Sequence, residues 1–251
     1  MKLFDAHLHI IDPRFPLQSN QGYLPDYFTC QDYLQHAEDL NVAGGAIVSG
    51  SFQGFDQSYL IDSLQKLGRQ FVGVTQLPVE TSDEEIIRLD KLGIRGLRFN
   101  IRRGGSEDLS QVERFAQRVH ALAGWHVELY IDSRQLPPLR SMIEKLPAVS
   151  IDHLGLSKAG FPTLLSLVDK GGKVKATGFG RIDFDPREAI KEIHAINPEA
   201  LMFGTDLPST RAKRPFSPSD VDLIIEALGE KQAEQVLYKN AAKWYLKEEH
   251  V

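Results

Sequence analysis

Leu3–Ile10 reads LFDAHLHI, a β-prone run that carries two histidines two residues apart and leads into DPRF. Strand alternation predicts Asp5, His7 and His9 on one face and Phe4, Ala6 and Leu8 on the other. No glycine-rich phosphate loop comes after this run, so a nucleotide-binding open sheet is not indicated. Seven comparable runs recur downstream: Gly44–Gly50, Phe71–Leu77, Ile94–Asn100, His126–Asp132, Val149–Gly155, Val174–Gly180 and Leu201–Leu207. Between them, segments such as Asp56–Gly68, Asp83–Leu92, Leu109–Ala123 and Arg187–Ile196 space their apolar residues as helices do. Pro137, Pro162, Pro186 and Pro218 stand where later helices begin, and Gly68, Gly93, Gly124 and Gly171 where helices end. Strand–helix units of about 25 to 30 residues signify parallel crossovers, and eight of them predict a closed (β/α)8 TIM barrel. The residues after Gly229 read as closing helices, at about 218–248, and residues 1–251 form one domain with no repeat or linker.

The composition agrees with a globular protein of one domain. The 251 residues are 42% hydrophobic and 25% charged, with a formal net charge of −5. That sign argues against nucleic acid or a membrane surface as partner. Cys30 is the only cysteine, so no internal disulfide forms, which suits a reducing compartment. Acidic and histidine residues interrupt the N-terminal apolar stretch, and no apolar run approaches the roughly 18 residues of a membrane span. These features predict a cytoplasmic protein, with self-association left open.

The histidines divide by position. His36, His120 and His194 fall in helical segments and His250 in the tail, while His126 opens a strand and belongs to the far end of the barrel. His7, His9 and His153 instead fall near strand C-termini, where barrels place their chemistry, together with Asp206 at the end of the eighth run. Two inward imidazoles on one strand can bind a metal or grip a polar substrate. A facing carboxylate can ligate that metal or act as general base toward water. Singly, Asp206 could be a helix cap and His153 a backbone-bonded core residue. Their convergence at one barrel end is what points to a site.

The motifs FDAHLHI (4–10), GLRFN (96–100), IDHLG (151–155) and FGTDLP (203–208), in this order and spacing, resemble the amidohydrolase-2 branch of the amidohydrolase superfamily. The resemblance spans nearly the whole chain and is nearest to the 2-pyrone-4,6-dicarboxylate lactonase-like group; STRAKRPFS (209–217) is similar to the segment after strand eight in that group. It implies a hydrolase in which Asp206 activates water while His7, His9 and His153 polarise a carbonyl. The fifth run, HVELYID (126–132), departs from the metal-dependent relatives, which place a histidine or modified lysine near that strand's end or its neighbour's. Its inward set is predicted as Glu128, Tyr130 and Asp132, and tyrosine is a poor zinc ligand at neutral pH. No tightly bound metal or other cofactor is therefore expected; the alternative is one divalent metal, best zinc, on His7, His9, His153 and Asp206.

Arginines crowd the strand ends and loops: Arg98, Arg102, Arg103, Arg181, Arg211 and Arg214. Guanidinium grips carboxylate bidentately, so a small anionic substrate is expected, bound by Arg98, Asn100, Tyr130, Arg181, Arg211 and Arg214. Lys175 can face inward on strand seven, and Asp152 is predicted to face the helix layer. The leading reading is hydrolysis of a lactone or similar cyclic ester of a carboxylated compound. Two alternatives keep the fold: a metal-dependent amidohydrolase or decarboxylase, and a TatD-like nuclease. The latter family carries a glutamate at the end of strand four, where this chain has RFN.

Overall fold

The computed structural model describes residues 1–246. His250 and the last part of the predicted closing segment lie outside the described residues. Eight parallel strands succeed one another around a single sheet: β1 (Leu3–Leu8), β2 (Val42–Val48), β3 (Phe71–Thr75), β4 (Ile94–Phe99), β5 (His126–Leu129), β6 (Val149–Ile151), β7 (Lys173–Thr177) and β8 (Leu201–Gly204). The ends meet just past β8, where Asp206 N donates to His7 O at 2.7 Å and His9 N to Leu207 O at 2.8 Å. The result is a single-domain (β/α)8 barrel.

Helices α1 (Cys30–His36), α2 (Ser58–Leu67), α3 (Asp83–Lys91), α4 (Val112–Ala123), α5 (Leu136–Ile143), α6 (Phe161–Asp169) and α7 (Pro186–Ile196) fill the crossovers. Their ends obey local chemistry. Pro stands in the first turn of α5, α6 and α7, Ser82 and Asp185 cap α3 and α7, and Gly124 ends α4 in the left-handed region. The tail forms α8 (Ser219–Leu228), α9 (Glu230–Glu234), a π-helical turn at Gln235–Lys239, and α10 (Asn240–Tyr245). No helix among the described residues is long and apolar enough to cross a membrane.

Two apolar cores result from strand alternation. Leu8, Ile47, Leu97, Val127 and Phe203 pack outward against the helices. Phe4, Ala6, Ala46, Val48, Val72, Val74 and Met202 form the inner core, and Tyr245 from α10 joins them from the N-terminal end. The Tyr245 ring stacks on Phe4, 5.7 Å between centroids.

This corrects the facing predicted for β1. Phe4 and Ala6 point into the barrel, while Asp5 points out and accepts from Tyr33 of α1 and from Thr205 N and Oγ1. The pairing of β1 with β2 slips between Asp5 and Leu8. Such a bulge resets alternation, so that His7 faces inward although Asp5 does not.

Candidate active site

The strands end earlier than the hydrophobic runs do, because the polar residues at their ends turn out of the ladder. After β6, Asp152 keeps the extended conformation, but His153 and Leu154 adopt φ of 52° and 50°. After β8, Asp206 has φ 61°. Left-handed backbone at non-glycine residues is costly and collects at functional sites. Here it breaks alternation so that Asp152 and His153 both face inward. The prediction that Asp152 faces the helix layer is thereby corrected: its Oδ2 accepts from Arg98 Nη2 at 2.8 Å, and its Oδ1 lies 3.7 Å from His7 Nδ1.

The four predicted catalytic residues come together. The His7 ring lies 5.0 Å from that of His9 and 4.9 Å from that of His153, centroid to centroid. Asp206 Oδ1 lies 3.6 Å from His9 Nε2 and 3.9 Å from His7 Nε2. His9 and His153 line a pocket at the C-terminal mouth, whereas His7 and Asp206 are fully buried just beneath it. His7 Nε2 and Asp206 Oδ1 have no hydrogen-bond partner among the described residues. Buried polar atoms are rarely left so, and here they face a shared space.

Electrostatics fix the charge states. Burial pushes His7 and His153 well below the usual imidazole value, with the Lys175 charge adding to the effect at His7 and Asp206 opposing it at His153. Burial alone would raise the Asp206 carboxyl, but the Arg181 guanidinium and His153 outweigh it and hold Asp206 well below the ordinary carboxylate range. Arg181 Nε donates to Asp206 Oδ2 at 2.6 Å. The centre is thus an ionised carboxylate among imidazoles, of which His7 and His153 are neutral.

The predicted binding residues part into two groups. Arg98, Asn100, Tyr130, Arg181 and Arg211 line the pocket. Arg98 is committed to Asp152 and to Ser49 O, and Arg181 to Asp206 and Thr210 O. Arg211 hydrogen-bonds Asn20 through its side chain and stacks over Tyr23, 4.3 Å from the ring centroid. Arg214 does not reach the pocket: Asp220 takes its guanidinium at 2.7 Å, and its side chain is 46% exposed. Asp132 is likewise no inward residue, since it caps the turn at Ser133–Gln135 and pairs with Arg134.

Sequence reasoning left Arg103 out of the binding set, yet it lines the pocket. Burial and the nearby Arg103 charge push Arg211 below its usual value, so two like charges meet at the mouth. The signal was position: Arg103 comes after β4, three residues beyond the inward-facing Asn100, whose Oδ1 accepts from Arg103 N. Gly50, Ser51 and Phe52, just past β2, also line the pocket and were missed for the same reason.

Metal-ligand atoms converge in the same space. His7, His9 and Asp206 offer ligand atoms within 4.8 Å of one another. By residue type and number they fit one divalent cation with an open position. A second set, His7, Asp152 and His153, meets the same spacing, but there Asp152 lies beside Arg98 and Lys175, whose charges repel a cation. Tyr130 stands where metal-dependent relatives were expected to carry a further ligand, with its ring 5.1 Å from His153.

Comparison with known proteins places this geometry. The family model described as Amidohydrolase matches residues 4–247. A 2-pyrone-4,6-dicarboxylate hydrolase from Comamonas testosteroni is 31% identical over 60% of this chain, a region that makes up 51% of that protein's length. A 4-sulfomuconolactone hydrolase from Rhizobium radiobacter is 26% identical over 88% of this chain and 81% of its own. The structure of a probable 2-pyrone-4,6-dicarboxylic acid hydrolase from Acinetobacter baumannii, with citric acid bound, superposes with a TM-score of 0.83. It covers 98% of this chain and 99% of that one at 23% identity, which speaks to the fold alone. The chain belongs to the amidohydrolase family, in its amidohydrolase-2 branch.

Proposed function

We propose that this protein is a cytoplasmic hydrolase that opens a lactone, or a similar cyclic ester, on a small compound carrying acidic groups. The observation that carries this reading is the pairing of an ionised, buried Asp206 with three imidazoles at the floor of an arginine-lined pocket. The names of the relatives agree, since both hydrolases act on ring compounds with carboxylate or sulfonate groups.

In this reading a water occupies the space bounded by His7 Nε2, His9 Nε2 and Asp206 Oδ1. Asp206 Oδ1 takes its proton as the oxygen attacks the ester carbonyl, and an N–H on His7 stabilises the oxyanion that forms. The ring C–O bond then breaks, and the leaving oxygen takes the proton back from Asp206, which restores the ionised carboxylate. Arg103 and Arg211 hold the acidic groups of the substrate, with Tyr130 and Asn100 lining its other side. Arg181 matters twice. A substrate carboxylate that draws Arg181 away from Asp206 removes the charge that weakens Asp206 as a base.

This chemistry needs no metal. A second reading is favoured by the convergence of ligand atoms: His7, His9 and Asp206 would hold one divalent cation, which supplies Lewis-acid polarisation of the carbonyl when bound. Elemental analysis of purified protein and assay after chelation separate the two. Below one metal per chain with activity retained supports the first; stoichiometric metal with activity lost on chelation supports the second. The function itself is tested by turnover of 2-pyrone-4,6-dicarboxylate and 4-sulfomuconolactone, monitored as loss of ring absorbance. Hydrolysis of neutral amides with no action on any anionic lactone would sink the lactonase assignment.

A further inference from the structure

Beneath the pocket lies a set of charges that the proposed chemistry does not use. Lys175 and Glu128 are both fully buried, with Lys175 Nζ 2.6 Å from Glu128 Oε2. Glu128 Oε1 accepts from Tyr245 at 2.5 Å and faces His126 Nε2 at 3.0 Å. The same ammonium reaches upward to His7 Nδ1, at 3.3 Å.

We propose that Lys175 is a positioning residue: its ammonium donates to His7 Nδ1 and so fixes His7 as the tautomer with its proton on Nε2. An ammonium has donors only, so the nitrogen facing it must accept. The competing partner, Asp152 Oδ1, lies 3.7 Å from Nδ1, beyond hydrogen-bond distance. The two other imidazoles are set the opposite way. His9 Nδ1 faces Val48 O at 2.7 Å and His153 Nδ1 faces Thr177 O at 3.4 Å. A carbonyl oxygen only accepts, so each of these rings carries a proton on Nδ1, and on His153, which burial keeps neutral, Nε2 is bare.

The histidines therefore differ in kind. His7 presents a donor to the space it shares with Asp206, whereas His153 presents an acceptor. A donor there suits a carbonyl oxygen that gains negative charge. A cation on His7 Nε2 requires the opposite tautomer, whose Nδ1–H would point at the Lys175 ammonium. The lysine thus weighs against metal at His7. The catalytic consequence rests on the hydrolase reading above, but the tautomer does not.

The test is read on the free protein. Full-length protein labelled with ¹⁵N-histidine gives two-bond ¹H–¹⁵N correlations in which protonated and bare ring nitrogens are well separated, and His7→Asn identifies the His7 signals. A protonated Nε2 and bare Nδ1 on His7 is the expected result. A protonated Nδ1 on His7 in the wild type, or a metal bound to its Nε2, overturns the proposal whatever the substrate proves to be. Lys175→Met should release the ring to the Nδ1–H form directed at Asp152, whereas Lys175→Arg, which keeps a donor, should retain Nε2–H. A folded Lys175→Met protein with His7 unchanged removes the lysine as the cause. Should Lys175→Met fail to fold, the wild-type and Lys175→Arg spectra decide. On an active substrate, Lys175→Met should lower kcat about 10-fold to 100-fold with KM little changed, as loss of an orienting partner does. A change confined to KM also counts against the proposal.

Discussion

The barrel interior holds two polar layers that are equally buried and differently satisfied. In the lower one, Glu128 is engaged by Lys175, His126 and Tyr245. In the upper one, His7 Nε2 and Asp206 Oδ1 face each other with no partner among the described residues. Burial alone therefore does not mark the chemistry. A saturated network holds parts in place, because each group already has what water would have given it. An unsaturated one keeps its donors and acceptors available to a reacting molecule. The contrast predicts that substitutions above should impair turnover while leaving the fold, and substitutions below should impair the fold first.

The sharpest break of this contrast is Asp206→Asn. It keeps an acceptor for Arg181 and removes the base, so kcat should fall by roughly 10² to 10⁴. Because Asn still accepts from Arg181, the melting temperature should fall by less than it does for Glu128→Ala. Saturation kinetics and a thermal melt on one preparation check both halves. Near-normal turnover would remove Asp206 from the mechanism.

Below, Glu128→Ala leaves the Lys175 ammonium buried without its counter-charge. Breaking such a pair costs about 3–5 kcal/mol, so the melting temperature should drop by roughly 10 °C or more. If Glu128→Ala melts like the wild type yet loses activity, the division between the layers fails.

Arg181 links charge to pH. Asp206 is depressed in the folded protein, so the stability that its ionisation contributes is complete above its unfolded value, about 4. It is lost as pH falls from there toward the folded value. Activity should accordingly keep Asp206 ionised down to the acid limit of the fold. Arg181→Gln removes the main force that opposes burial, so the acidic limb of kcat/KM should move to higher pH by about one unit or more. An unmoved limb would show that another group sets it.

Legibility in the sequence depended on whether a signal is local. The eight runs and the intervening periodicities located every strand, and proline and glycine located helix ends, because these are local properties of the chain. His7, His9, His153 and Asp206 were found by position, since barrel strands deliver their C-termini to one mouth. Facing was harder. The β1 bulge that turned Asp5 outward and Phe4 inward depends on pairing with β2, and the left-handed turn that brings His153 to the same side as Asp152 depends on tertiary contacts. Partner choice was not legible at all: nothing local tells that Arg98 serves Asp152, that Arg181 serves Asp206, or that Arg103 is left to the pocket.

The arginines give the finest test of partner choice. Arg103 lines the pocket beside Arg211, whereas Arg214, though it stands in the same loop as Arg211, commits its guanidinium to Asp220. Arg103→Ala should raise KM for an anionic lactone by about 10-fold to 100-fold, the worth of a hydrogen bond to a charged group, with kcat less affected. Arg214→Ala should leave KM and kcat within about twofold, because an exposed ion pair contributes about 0–1 kcal/mol. Its backbone has the larger part. A Cβ on Gly180 would collide with Arg214 O, so the loop that carries Arg181 packs against the Arg214 main chain. Gly180→Ala should therefore disturb the site more than Arg214→Ala does, by moving Arg181 relative to Asp206. A tenfold rise in KM for Arg214→Ala would instead mean that the 209–217 loop swings inward over bound substrate and that Asp220 releases its partner.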